Sequence, residues 1–305
     1  MTKRLKKTEF MMAYMIIITL ACTIGGFFFG AHYMKSKMEA AQVAELEAKA
    51  QEAEKERLLR EQKLYSEQDF IRFYYAVYAP VLDLKKAHFD SMEQWDQLEK
   101  KAQEQALKQL SKTAEGTLKA VEKGLPIPGS PLLLEAQSQF KDSVRAYLDS
   151  MEQVRSDQNS NALTPGDISA RMTPFHNSWL KAQELVYQSF ATWESAYVLR
   201  QPLPQALPEK ITVEQWKSYP FHYRTYVTAV TMSKEHQWKA FNPEDLTARL
   251  DSLLSSGDTT SLGIQDVNGA VRLLYATDAT HPGDFKQLQA RMYTELKTPE
   301  VPLFK

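Results

Sequence analysis

The sequence predicts an all-α protein made of a single N-terminal transmembrane helix, a helical stalk and an extracytoplasmic multi-helix bundle. Three observations carry that expectation. Residues 10–34 form an apolar run without an acid, lysine or arginine, and residues 35–66 are helix formers with neither glycine nor proline. Beyond them, apolar residues recur in steps of three and four, with no convincing strand alternation and no repeat of fixed period. The 305 residues, 43% hydrophobic and 25% charged, are enough to bury a core. A net charge of −1 disfavours a phosphate-backbone binder, so no nucleic-acid partner is expected. The single cysteine excludes an intrachain disulfide framework and any multi-cysteine zinc site.

Residues 1–8 read as a short basic cytoplasmic segment and 9–34 as the transmembrane helix. At a rise of 1.5 Å per residue the uncharged run covers about 37 Å, enough to cross a hydrocarbon core of about 30 Å. Lys3, Arg4, Lys6 and Lys7 precede it, whereas Lys35 and Lys37 give way to glutamates, so the expected topology is single-pass in the cell membrane, N-terminus cytoplasmic and bulk extracytoplasmic. A cleaved signal peptide would need a shorter apolar region followed by an A-x-A-like site. A lipoprotein signal would need the leucine of Thr19-Leu20-Ala21-Cys22 one place earlier. Gly26 and Gly30 form a GxxxG that Cys22 extends by one turn, a stripe along which a second membrane helix could approach closely to make a homodimer.

Residues 35–66 read as the stalk, with Glu45–Lys49 and Glu56–Arg60 in the favourable i,i+4 order. Val43, Leu46, Ala50 and Ala53 keep coiled-coil spacing until Arg57 and Arg60 interrupt the seam.

The bundle is expected over residues 67–200. Phe70, Phe73, Tyr74, Val77, Tyr78 and Val81 mark one apolar face carried through a kink at Pro80. Helical patterning runs from about 83 to 123 and closes at Gly124. Ser130 and Pro131 open a helix whose stripe is Leu133, Ala136, Phe140, Val144, Tyr147, Met151 and Val154. Another starts at Thr173-Pro174 and carries Phe175, Trp179, Ala182, Val186, Phe190, Trp193 and Tyr197. Residues 201–210, with three prolines, read as a linker; 211–305 hold further helices of the same domain or of a second helical subdomain. These comprise a capping box at Thr212 and Gln215, a helix over 221–241, one opening at Asn242-Pro243, and helices near 264–276 and 282–296.

Chemistry is sparse. His32, His88, His176, His222, His236 and His281 show no metal spacing. On one continuous helix His222 and His236 would stand about 21 Å apart. Asp157, Asn159 and Asn161 match the first ligand positions of a calcium loop, but Ala162 replaces its glycine and Ile168 its bidentate acid, with Asp167 one place early. Trp193-Glu194-Ser195 resembles, over two residues, the catalytic Glu-Ser of lysozyme-like transglycosylases, which implies Glu194 as a buried general acid; the Gly-rich turn of that family is missing. No catalytic, metal or cofactor residues are therefore assigned. The composite expectation is a membrane-anchored interaction or scaffold protein of the bacterial cell envelope, not an enzyme, whose partners are the lipid bilayer and another envelope or membrane protein. A ligand-binding or sensory helical module is the alternative, and an envelope glycan hydrolase using Glu194 the second.

Overall fold

A computed structural model describes residues 7–61, 67–124, 130–160, 163–204, 206–256 and 262–304, and every regular element among them is helical. The chain divides into two compact units, residues 1–62 and 63–305.

The first unit is one helix, α1 (Lys7–Glu61), that runs through the apolar segment and the stalk without a break. Its 55 residues extend about 83 Å. In the apolar segment the hydroxyls of Thr19 and Thr23 donate back to carbonyls one turn earlier, those of Met15 and Thr19, which satisfies both donors within the helix. In the stalk, Lys49 pairs with Glu45 at 2.7 Å and Lys35 lies 3.9 Å from Glu39. The side chains of Glu56, Arg57 and Arg60 lie outside the described residues. Val43 and Leu46 are exposed. Among the described residues no helix is long and apolar enough to cross a membrane. Within 10–34 the side chains of Phe10, Ala13, Phe28, Phe29, Ala31 and His32 are not among those described.

The second unit begins with α2 (Glu67–Phe73), a π-helical turn (Tyr74–Tyr78) and α3 (Ala79–Glu93). The expected kink at Pro80 is instead this π turn. Pro80 sits in the first turn of α3, and the Ala79 N–H reaches back five residues to the Tyr74 carbonyl. The helix expected to continue through 83–123 breaks after α3. Trp95 turns fully inward and donates its indole N–H to the Leu163 carbonyl at 2.7 Å, and α4 (Lys100–Lys123) starts afresh.

α5 (Pro131–Ser160), α6 (Pro165–Arg171) and α7 (Thr173–Trp193) follow. The Leu133 N–H donates to the Ser130 hydroxyl at 3.3 Å, and all seven residues of the α5 stripe are buried. Twelve side chains of α7 are buried on nearly all sides, which makes it the central helix, flanked by α5 and by α9. A second π turn (Glu194–Leu199) extends α7 and stops at Arg200 in a left-handed conformation, φ 55°.

Past the prolines come α8 (Val213–Ser218), α9 (Phe221–Lys234), α10 (Pro243–Ser255), α11 (Val267–Ala276) and α12 (Asp284–Met292). The capping box on α8 forms from both sides, Gln215 N–H to Thr212 Oγ1 at 3.2 Å and Thr212 N–H to Gln215 Oε1 at 3.0 Å. α9 ends seven residues before the expected 241. Gln237 N–H bonds the Met232 carbonyl at 2.8 Å across His236, whose φ is 52°, closing the helix with a histidine where glycine is usual. That exit lets Trp238 turn back onto Phe89, Phe175 and Trp179. Likewise α11 and α12 are shorter than the apolar pattern suggests, capped by Asp266 and preceded by Gly283. Because α9 packs on α7 and α10 packs on α9, residues 211–305 share one core with 67–200.

Candidate functional site

Glu194 opens the second π turn, where the register shift of one extra residue points its side chain at the start of α9. Pro220 precedes α9 and has no side chain with which to cap it. The Glu194 carboxylate fills that role from a neighbouring helix, accepting from the His222 N–H at 3.0 Å and acting also on the Tyr223 N–H. Burial pushes its carboxyl up to about 7, against the opposing pull of those two N–H groups and of Arg224. A proton is thus held near neutrality, as a general acid requires. Yet Glu194 is only 5% exposed and neither surface opening described below is lined by it. Ser195 is also engaged within the fold, donating its hydroxyl to the Gln201 carbonyl across the turn.

The imidazole of His222 is completely buried among Phe190, Trp193, Phe221 and Phe304. Burial lowers its pKa to about 3, with the Lys297 backbone acting weakly the other way. His236 lies outside α9 altogether, bonded through Nδ1 to Asn177 at 2.8 Å. His88 and His176 meet around Trp238. His88 bonds the Tyr147 hydroxyl at 3.1 Å, and the His176 ring stacks on the Trp238 indole at 4.7 Å. Burial holds them down to about 3 and about 4. No group of three or more His, Cys, Asp or Glu fit to hold a metal occurs among the described residues.

The calcium-loop residues separate. Asp157 stays on α5 and pairs with Arg171 at 2.7 Å, Asp167 forms a capping box with Thr164 at the start of α6, and Asn161 lies outside the described residues. On α1, Cys22 is exposed, and a Cβ built on Gly26 or Gly30 would meet nothing within 4 Å.

Sequence reasoning missed a polar cluster in the core. Lys85 of α3 is 3% exposed and donates to the Phe241 carbonyl at 2.8 Å and to Asn242 Oδ1 at 2.9 Å. Glu244 beside it takes a short hydrogen bond from the Tyr187 hydroxyl, and Asp245 accepts from the N–H groups of Gly283 and Phe285, both at 3.1 Å. Asp284 anchors the far end through a two-pronged pair with Arg249, at 2.5 and 2.6 Å. Desolvation raises the Glu244 carboxyl to about 8 and lowers the Lys85 amine to about 8. The signal for Lys85 was present: Val81, Leu84, Lys85 and His88 share one helical face, so a lysine there is core by position.

Surface openings among the described residues include two of note. A shallow groove of about 600 Å³ between α4 and α5 mixes Lys101, Lys108 and Arg155 with Glu104 and Glu152. A smaller cleft of about 180 Å³ lies where α8, α9, α10 and the end of α12 converge. Comparison with known proteins adds nothing to this geometry: no family model matches the chain, and no curated protein or solved structure is similar to it.

Proposed function

We propose that this chain is a single-pass membrane protein of the bacterial cell envelope that uses α1 as anchor and stalk and presents the 63–305 domain, outside the cytoplasm, to another envelope or membrane protein. One observation carries the anchoring. Among the described residues, fifteen of the nineteen exposed large hydrophobic side chains lie on α1, and ten of those fall between Met11 and Phe27, with Ile17 at 65% and Phe27 at 74% exposure. Apolar surface of that density is stable only against lipid or another apolar helix. The basic cluster Lys3, Arg4, Lys6 and Lys7 supports a cytoplasmic N-terminus.

Thiol labelling tests this reading. With Cys22 replaced by serine and Glu67→Cys introduced, a membrane-impermeant maleimide should label intact cells. Labelling only after lysis would reverse the orientation, and recovery of the protein in the supernatant after alkaline carbonate extraction would reject the anchor.

A further inference from the structure

The cleft at the convergence of α8, α9, α10 and α12 has the features of a binding site. Its floor is Asp251, 5% exposed and saturated: Oδ1 accepts from Trp216 Nε1 and Arg224 Nη1, each at 2.7 Å, and Oδ2 accepts from the Tyr293 hydroxyl at 2.6 Å. Helices α8, α9 and α10 and the residue that follows α12 are thereby tied to one carboxylate, which fixes the Arg224 guanidinium in place. Arg224 also lies 5.9 Å from the Trp216 ring.

Of the five N–H donors of Arg224, the bond to Asp251 engages one, and the side chain, which lines the cleft, is 18% exposed. A guanidinium with unengaged donors at a cleft is a recognition element for a planar anion. Charge favours the same ligand. Asp251 offsets Arg224, and exposed Lys217 adds a positive group at the rim, while burial raises the carboxyl of Glu194, the other acid acting on Arg224, and so favours its neutral form. Leu254 and Met292 supply apolar wall. At about 30 Å³ per water molecule the volume holds roughly six waters, which suits a molecule of a few non-hydrogen atoms and not a drug-sized ligand.

We infer that this cleft binds a small aliphatic carboxylate, its two oxygens against Arg224 and Lys217 and its short alkyl group against Leu254 and Met292. This goes beyond the anchoring reading and does not depend on it.

The test uses the full chain in detergent, labelled with 5-fluorotryptophan, because none of the five tryptophans lies in α1 and Trp216 reports on the cleft directly. Trp216→Phe assigns its resonance. Propionate, titrated at constant ionic strength against chloride, should shift the Trp216 signal saturably in the millimolar range and leave Trp95 unmoved. Lys217→Gln should weaken binding about threefold, as for a solvent-exposed charge. Arg224→Lys keeps the charge opposite Asp251 but loses the fork, and should weaken binding about tenfold or more. A linear, non-saturating shift, or a saturable one unchanged in Arg224→Lys, would overturn the site. Inorganic phosphate binding as tightly as propionate would overturn the carboxylate assignment.

Discussion

α1 and the 63–305 domain are built from the same secondary structure and treat apolar side chains in opposite ways. In the domain, every member of the α5 stripe is at most 1% exposed, and three tryptophans, Trp95, Trp179 and Trp216, are fully enclosed. On α1, Ile16, Ile17 and Phe27 are more than half exposed. The difference teaches that helix formation and apolar burial are separate problems. Propensity and i,i+4 pairs keep the stalk helical on its own, whereas the domain's shorter helices depend on one another. Polar groups follow the same division. The Glu45–Lys49 pair is solvated, while Lys85, Glu244 and Asp245 sit where water cannot help them.

The most severe way to break this comparison is to delete residues 9–34. The expected outcome is complete transfer of the protein from the membrane pellet to the soluble fraction, with the domain's cooperative thermal transition retained. Loss of that transition would show that the domain needs α1 to fold.

Next in size is Lys85→Met. It leaves the Phe241 carbonyl and Asn242 Oδ1 without their donor and removes the cation facing Glu244 and Asp245. Uncompensated burial of this kind costs about 3–5 kcal/mol, read as a lower urea midpoint. Glu45→Gln on α1 should leave that midpoint unmoved, which sharpens the contrast.

A smaller effect is expected from pH, and its sign follows from two sets of groups. His88, His176 and His222 titrate lower in the fold than the usual 6.5, so unfolding takes up protons and stability falls as pH drops from about 6.5 toward about 4. Glu194 and Glu244 titrate higher in the fold than the usual 4.5, so unfolding releases protons and stability falls as pH rises from about 4.5 to about 8. The opposing slopes place the maximum near about pH 6. Urea midpoints that rise steadily to pH 8 would refute the assignment of Glu194 and Glu244 as neutral buried acids.

The smallest effect is expected at a helix terminus. Thr212→Ala removes one side of the α8 box and should lower the melting temperature by the equivalent of about 1 kcal/mol.

What was legible in the sequence was whatever a period of 3.6 controls. The α5 stripe runs over six helical turns without an irregularity, and every member of it is buried. The Thr212–Gln215 box was legible because both partners of a local hydrogen-bond pair are adjacent in sequence. The π turns at Tyr74 and Glu194 were not. One extra residue per turn shifts the register without any residue type that announces it, and the proline at 80 drew attention to the wrong place. The end of α9 at Lys234 was hidden because His236 occupies the left-handed position where a reader looks for glycine. As for site residues, Glu194 could be named from sequence, but its role as a cap for α9 depends on a contact across 28 positions. The Asp251 cluster joins residues 216, 224, 251 and 293, a combination no local pattern encodes.

The helix exits hold one more consequence. α9 and α11 both close with a five-residue return bond over a non-glycine residue in left-handed conformation, His236 at φ 52° and Asp278 at φ 48°. Such a conformation costs an L-residue roughly 1–2 kcal/mol that glycine avoids. His236 gains something in return through Asn177, and Thr277 beside Asp278 bonds back to Leu273. With Arg200 after the second π turn, at φ 55°, the described residues hold three such exits alongside a core that encloses three tryptophans, and the chain carries a reserve against mutation: drift toward glycine at any of them opens headroom in which surface residues of the bundle can change without loss of the fold.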